Sequence, residues 1–103
     1  MTEWSFLTRH GRALLCIAAD PAVRLRDIAA ALGITERSAF AIVNDLAESG
    51  YVVKRREGRR NHYVVDRDRP LPEMTMHDRT IGEVLDVVLG TVPRAPTLKS
   101  RPA

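Results

Sequence analysis

One cysteine, Cys16, is all that 103 residues contain, so an internal disulfide is impossible and a reducing compartment is the natural setting. Cys16 lies among Leu14, Leu15, Ile17 and Ala18, where a free thiol reads as a small buried hydrophobe or, alternatively, as a redox sensor. Long apolar runs are missing too. Nothing approaches the roughly 20 residues of a membrane span, and the N-terminus lacks the basic-then-apolar pattern of a secretory signal. The expectation is a cytoplasmic protein without a membrane partner. His10, His62 and His77 show no metal-ligand spacing among themselves or with Cys16, which argues against a metal site. No Ser, His and Asp set, glycine-rich phosphate loop or paired-carboxylate pattern stands out, so neither an enzyme nor a cofactor-binding protein is expected. Internal repeats are absent.

The chain is long enough for one small domain with a modest core. Its net charge of +3 is unevenly placed. Residues 1–33 carry four basic and three acidic groups, residues 34–65 six and four, and residues 66–103 six and six. The sharpest excess is in residues 54–60, with five cations against one anion. Such a cluster fits a phosphate-binding edge or, more plainly, soluble surface.

The most informative stretch is LRDIAAALGITERSAFAIVND, residues 25–45. Ile28, Ala29 and Leu32 fall on one face of a helix over residues 27–32, with Arg26 where a capping Ser or Thr would be favoured. Gly33 ends that helix by turning left-handed at no Cβ cost. Ile34 plugs the corner, and Thr35 is a good N-cap for a second helix. In that helix Ala39, Ile42, Val43 and Leu46 recur at i, i+3, i+4 and i+7, leaving Glu36, Arg37, Phe40, Ala41 and Asn44 off the buried stripe. Two short helices joined at a glycine form a helix-turn-helix, whose outward residues can reach base edges; an ordinary helical hairpin with a solvated face is the plainer alternative.

Around this unit, Thr8 can cap a helix over residues 9–19, with Leu14, Leu15, Ile17 and Ala18 on its apolar side, stopped by Asp20-Pro21. Residues 22–25 form a connector that can include a short strand at Arg24-Leu25. Glu48-Ser49-Gly50 closes the second helix of the pair. Tyr51, Val52 and Val53 then make one β-rich run and Tyr63, Val64 and Val65 another, around a polar glycine-containing loop over residues 55–61. A helix-turn-helix followed at once by a basic hairpin is a winged helix.

At this point the run ALGITERSA…IVNDLAESGYV, within a likeness that covers residues 6–66, resembles the winged helix-turn-helix regulators of the MarR and ArsR type, especially their short single-domain bacterial members. The resemblance implies a mainly α fold with a small β-hairpin, and binding of double-stranded DNA. It implies that the second helix enters the major groove through Thr35, Glu36, Arg37, Ser38, Phe40 and Asn44, and that Arg59, Arg60 and Asn61 stand at the tip of a wing. Phe40 departs from the polar residue common at such a position. The ArsR-type metal motifs of paired cysteines, or of Asp and His on the last helix, are missing. Lys54, Arg55 and Arg56 join the expected DNA-binding set on charge, since arginine gains in a narrow minor groove and phosphate contacts release counterions. The alternative task for these cations is to keep an edge strand from aggregating.

After residue 66, Pro70 and Pro72 mark residues 67–79 as an extended connector. Thr80-Ile81-Gly82-Glu83 is a capping box opening a C-terminal helix over residues 80–90, with Ile81, Val84, Leu85, Val88 and Leu89 as its apolar stripe. Residues 91–103, with Pro93, Pro96 and Pro102, read as a flexible tail. Residues 1–66 would be the DNA-binding domain. The C-terminal stripe, with Trp4, Phe6 and Leu7 as companions, is the candidate dimerisation surface of a homodimer, unless that helix folds back on its own domain. The sequence names no small-molecule effector. The competing reading of the whole chain is a winged-helix protein–protein interaction module without specific DNA readout, for which an exposed Phe40 is equally suited.

Overall fold

A computed structural model of the chain describes residues 5–72 and 78–90. Trp4, residues 73–77 and the expected tail therefore lie outside the described residues. The chain forms two compact units, Met1–Asp66 and Arg67–Ala103.

The first unit holds α1 (Arg9–Ala19), α2 (Leu25–Leu32), α3 (Glu36–Glu48) and an antiparallel hairpin of β1 (Val52–Glu57) and β2 (Arg60–Val65). Thr8 caps α1, its Oγ1 accepting from the Gly11 amide at 3.0 Å. Of the apolar side expected for this helix, Leu14 and Ile17 are buried together with Ala13, while Leu15 and Ala18 are half-buried. Asp20 ends the helix, and its carboxylate accepts from the Ala22 amide in a local turn that fixes the chain's exit.

α2 begins earlier than the apolar pattern indicates. The Arg24 carbonyl accepts from the amides of Asp27 and Ile28 at 2.9 and 3.0 Å, which puts Leu25 and Arg26 inside the first turn. Arg24 makes no side-chain cap bond, so no residue type marks the true start. The short strand expected at Arg24-Leu25 is likewise not formed, because Leu25 is helical. The sheet-like contact occurs upstream, where the Tyr63 amide donates to the Pro21 carbonyl at 2.9 Å. Gly33 closes α2 in the left-handed region at φ 71°. The Ile34 amide reaches back to the Ala29 carbonyl and the Gly33 amide to that of Ala30, so two otherwise unpaired carbonyls are satisfied.

α1 packs on α2, α3 and β2, and α3 also meets β1. The core of this unit is Ala13, Leu14, Ile17, Ile28, Ala29, Leu32, Ala39, Ile42, Val43, Leu46, Val52 and Tyr63. This is the expected mainly α fold with a small hairpin, a winged helix-turn-helix followed by a C-terminal helix. The strands, however, run beyond the apolar residues. Pairing continues from Val52 with Val65 to Glu57 with Arg60, so the loop shrinks to Gly58 and Arg59. Gly58, at φ 62°, supplies the positive dihedral that a two-residue hairpin turn needs. Arg55, Arg56, Arg60 and Asn61 are consequently strand residues and not loop residues.

In the second unit, α4 (Ile81–Leu89) carries the expected capping box, with Glu83 N donating to Thr80 Oγ1 at 3.2 Å and Thr80 N to Glu83 Oε1 at 3.0 Å. The residues before it are tied to its start. The Ile81 and Gly82 amides donate to the carbonyls of Arg69 and Arg67, each at 2.8 Å, and Pro70 bridges Thr80. Arg67 also donates through Nη2 to the Gly82 carbonyl at 3.1 Å and pairs with Asp86 at 2.7 Å. Ile81 and Leu85 are buried, Val84 and Leu89 half-buried, and Val87 and Val88 exposed. No helix among the described residues is long and apolar enough to cross a membrane.

Candidate nucleic-acid interface

The outward face of α3 is held in place at both ends. At its start Thr35 Oγ1 accepts from the Ser38 amide at 3.0 Å, and the Thr35 hydroxyl also donates to Ser38 Oγ at 3.1 Å. These two candidate reading residues therefore first serve to cap the helix. Near its end, His10 Nε2 on α1 lies 2.8 Å from Asp45 Oδ2, an exposed pair that links the first helix to the third.

Between these ties the stripe Arg37, Phe40, Ala41 and Asn44 faces away from the core. Arg37, Phe40 and Ala41 are exposed and Asn44 is half-buried. Among the described residues neither Arg37 nor Asn44 makes a hydrogen bond or ion pair, so their donors are free for a ligand. Glu36 is exposed at the first turn, where its charge complements the helix dipole. Within α3 Arg37 is the only cation, against Glu36, Asp45 and Glu48. The helix is thus equipped for selective hydrogen bonds but poorly for general phosphate attraction.

The positive charge lies instead on the hairpin. Lys54, Arg55, Arg56, Arg59, Arg60 and Asn61 are all exposed on it. Arg56 Nε donates to the Gly58 carbonyl at 3.3 Å, bracing the turn. Arg60 does not stand at a free tip. Its Nη2 donates to the Ala22 carbonyl, and with the Tyr63–Pro21 bond this fastens β2 to the α1–α2 connector. Arg59, in the turn itself, has no such partner among the described residues. The hairpin and α3 meet where Lys54 Nζ sits 5.7 Å from the centroid of the Phe40 ring, within reach of a cation–π attraction.

The site thus brings Phe40, which shares the outward stripe with Arg37 and Asn44, against Lys54, and sets Thr35, Ser38 and Arg60 to tasks within the protein. Ala41, expected off the buried stripe, is exposed beside Phe40. Arg12 donates to the Ala31 carbonyl at 3.2 Å and so braces the last turn of α2; an arginine on a helix face has no sequence mark for such a role. Among the described residues no three His, Cys, Asp or Glu gather into a metal-binding group.

The family model of the MarR family matches residues 6–60, more than half of the chain. The chain belongs to the MarR family. The matched segment takes in all three helices of the first unit and most of the hairpin, which is the DNA-binding domain of transcription regulators of this family. No curated protein matches the chain. Burial pushes the Cys16 thiol up from its ordinary value, and the Arg12 guanidinium offsets this only in part. Burial likewise raises the Tyr63 phenol. Both are therefore neutral at physiological pH, and Cys16 lacks the thiolate character of a reactive cysteine.

Proposed function

We propose that this MarR-family chain is a sequence-specific double-stranded DNA-binding regulator of transcription, working in the cytoplasm as a homodimer. α3 enters the major groove with Arg37, Phe40 and Asn44 toward base edges. The hairpin follows the backbone into the minor groove, with Lys54, Arg55 and Arg56 along it and Arg59 at the turn. The single observation that carries this reading is the junction of the two surfaces at Lys54 and Phe40, where the outward stripe of α3 meets the basic hairpin. One surface offers hydrogen bonds that discriminate bases, the other charge that neutralises phosphates. Dimerisation through α4 rests on Val88, exposed at its surface, and on half-buried Val84 and Leu89. The likeness to ArsR-type regulators adds nothing to this reading, since the chain lacks their metal-binding motifs.

Selection of duplexes from a random-core pool tests the proposal. A recovered consensus that outcompetes its own scrambled sequence at physiological salt is the expected result. Equal binding to consensus and scramble, or no enrichment, would favour a winged helix that contacts proteins.

A further inference from the structure

Resting on the placement of α3 in the major groove proposed above, we infer that Phe40 is a specificity-determining residue that reads thymine, its ring meeting the C5-methyl group of a thymine in the bound duplex. Phe40 shares the outward stripe of α3 with Arg37, Ala41 and Asn44, which stand three before, one after and four after it. Phe40 is 47% exposed, while the adjoining inner stripe of Ala39, Ile42, Val43 and Leu46 is closed. The fold therefore leaves a large apolar surface in water on the face that carries the free donors of Arg37 and Asn44. Lys54 steadies the ring from the hairpin side at 5.7 Å. Ala41, also exposed, adds a second methyl-sized apolar surface on the same stripe.

In the major groove thymine alone presents a methyl group, and apolar side chains select it. Over a G·C pair the same ring would strip water from the base acceptors and donor without replacing a hydrogen bond, which disfavours that pair. With one cation and three anions, α3 is also badly matched to guanine-rich readout at more than one position. Apolar contact at position 40 and hydrogen bonding from positions 37 and 44 divide the work along one stripe.

The test uses the duplex recovered by selection and copies in which each thymine in turn is replaced by deoxyuridine, which deletes the methyl group alone. The wild-type chain is expected to lose about fourfold in affinity at one such position, the equivalent of about 0.8 kcal/mol for one methyl-sized apolar contact. Phe40→Ala should bind the selected duplex more weakly and no longer distinguish thymine from uracil there, whereas Phe40→Leu should keep the distinction. A residue that merely supports the helix would not move this thymine-to-uracil ratio. Wild-type indifference to every replacement, with sequence-specific binding intact, overturns the role of Phe40 and leaves the DNA-binding reading standing. A penalty that persists in Phe40→Ala also overturns it. Failure to enrich any duplex removes both at once.

Discussion

Arg59 and Arg60 are adjacent cations with different work. Arg60 spends its guanidinium on the Ala22 carbonyl, whereas Arg59 projects from the turn without a partner among the described residues. Arg59→Ala should therefore flatten the salt dependence of duplex binding by about one phosphate contact and leave folding unchanged. Arg60→Ala should instead loosen the attachment of β2, seen as faster amide exchange at Tyr63. An unchanged salt slope for Arg59→Ala would make the turn a solvated edge. Arg37→Ala should relax preference at one base pair at a cost of about 1 to 3 kcal/mol, read by repeating the duplex selection with the variant, and a selected consensus identical to wild type would remove Arg37 from the reading set. A further expectation concerns pH. The raised values of Cys16 and Tyr63 mean that the folded chain holds these protons more tightly than the unfolded chain does. Their stabilising contribution is complete at neutral pH, below the ordinary values of 9.0 and 10.0, and is lost as pH rises through the higher folded values. Thermal melting should show an alkaline loss of stability that Tyr63→Phe reduces.

Each element is punctuated by chemistry that differs in how openly it can be read. Thr8, Thr35 and Thr80 mark three helix starts by residue type, and Gly33, Gly50 and Gly90 mark three ends by their positive φ. α2 begins on a bare backbone carbonyl at Arg24, which no side chain announces, so the apolar pattern alone starts the helix at Asp27 and not at Leu25. The apolar residues mark only the inner halves of the hairpin strands because the outer halves are charged; cross-strand pairing and Gly58, not apolar alternation, carry them on to Glu57 and Arg60. Of the site, the outward stripe of α3 and the basic segment could be read from spacing and charge. The use of Arg60, Thr35 and Ser38 within the protein could not, because those bonds join atoms whose proximity only the fold creates. α4 offers an element-scale prediction. A Cβ at Gly82 would lie 2.9 Å from both the Cβ and the carbonyl oxygen of Arg67, where backbone must yield. Gly82→Ala should cost about 1 to 3 kcal/mol, on the scale of an overpacked site. Increased amide exchange at Ile81 and residue 82 would register it, and unchanged protection would mean that the contact is easily relieved.

On the scale of the whole molecule, the homodimer proposed above would carry two reading heads. A two-fold dimer would present two copies of α3 to successive major grooves about 34 to 36 Å apart and predicts a near-palindromic site. Ile81 and Leu85 are already buried, which leaves Val88, 47% exposed, and its neighbour Val87, 74% exposed, as positions that can be charged without opening the chain's own core. Val87→Asp with Val88→Asp should convert a sedimenting dimer into a folded monomer that binds its palindrome at least tenfold more weakly, about 1.4 kcal/mol. Wild-type protein that sediments as a monomer and still binds at full strength would dismiss the dimer. The central claim, that duplex DNA is read by the outward face of α3 and anchored by the hairpin, is tested most directly by amide chemical-shift mapping of the labelled protein titrated with its selected duplex. The largest changes are expected over residues 35–44 and 54–61, with the amides of α4 little affected; changes centred elsewhere, with those two segments unmoved, would contradict it.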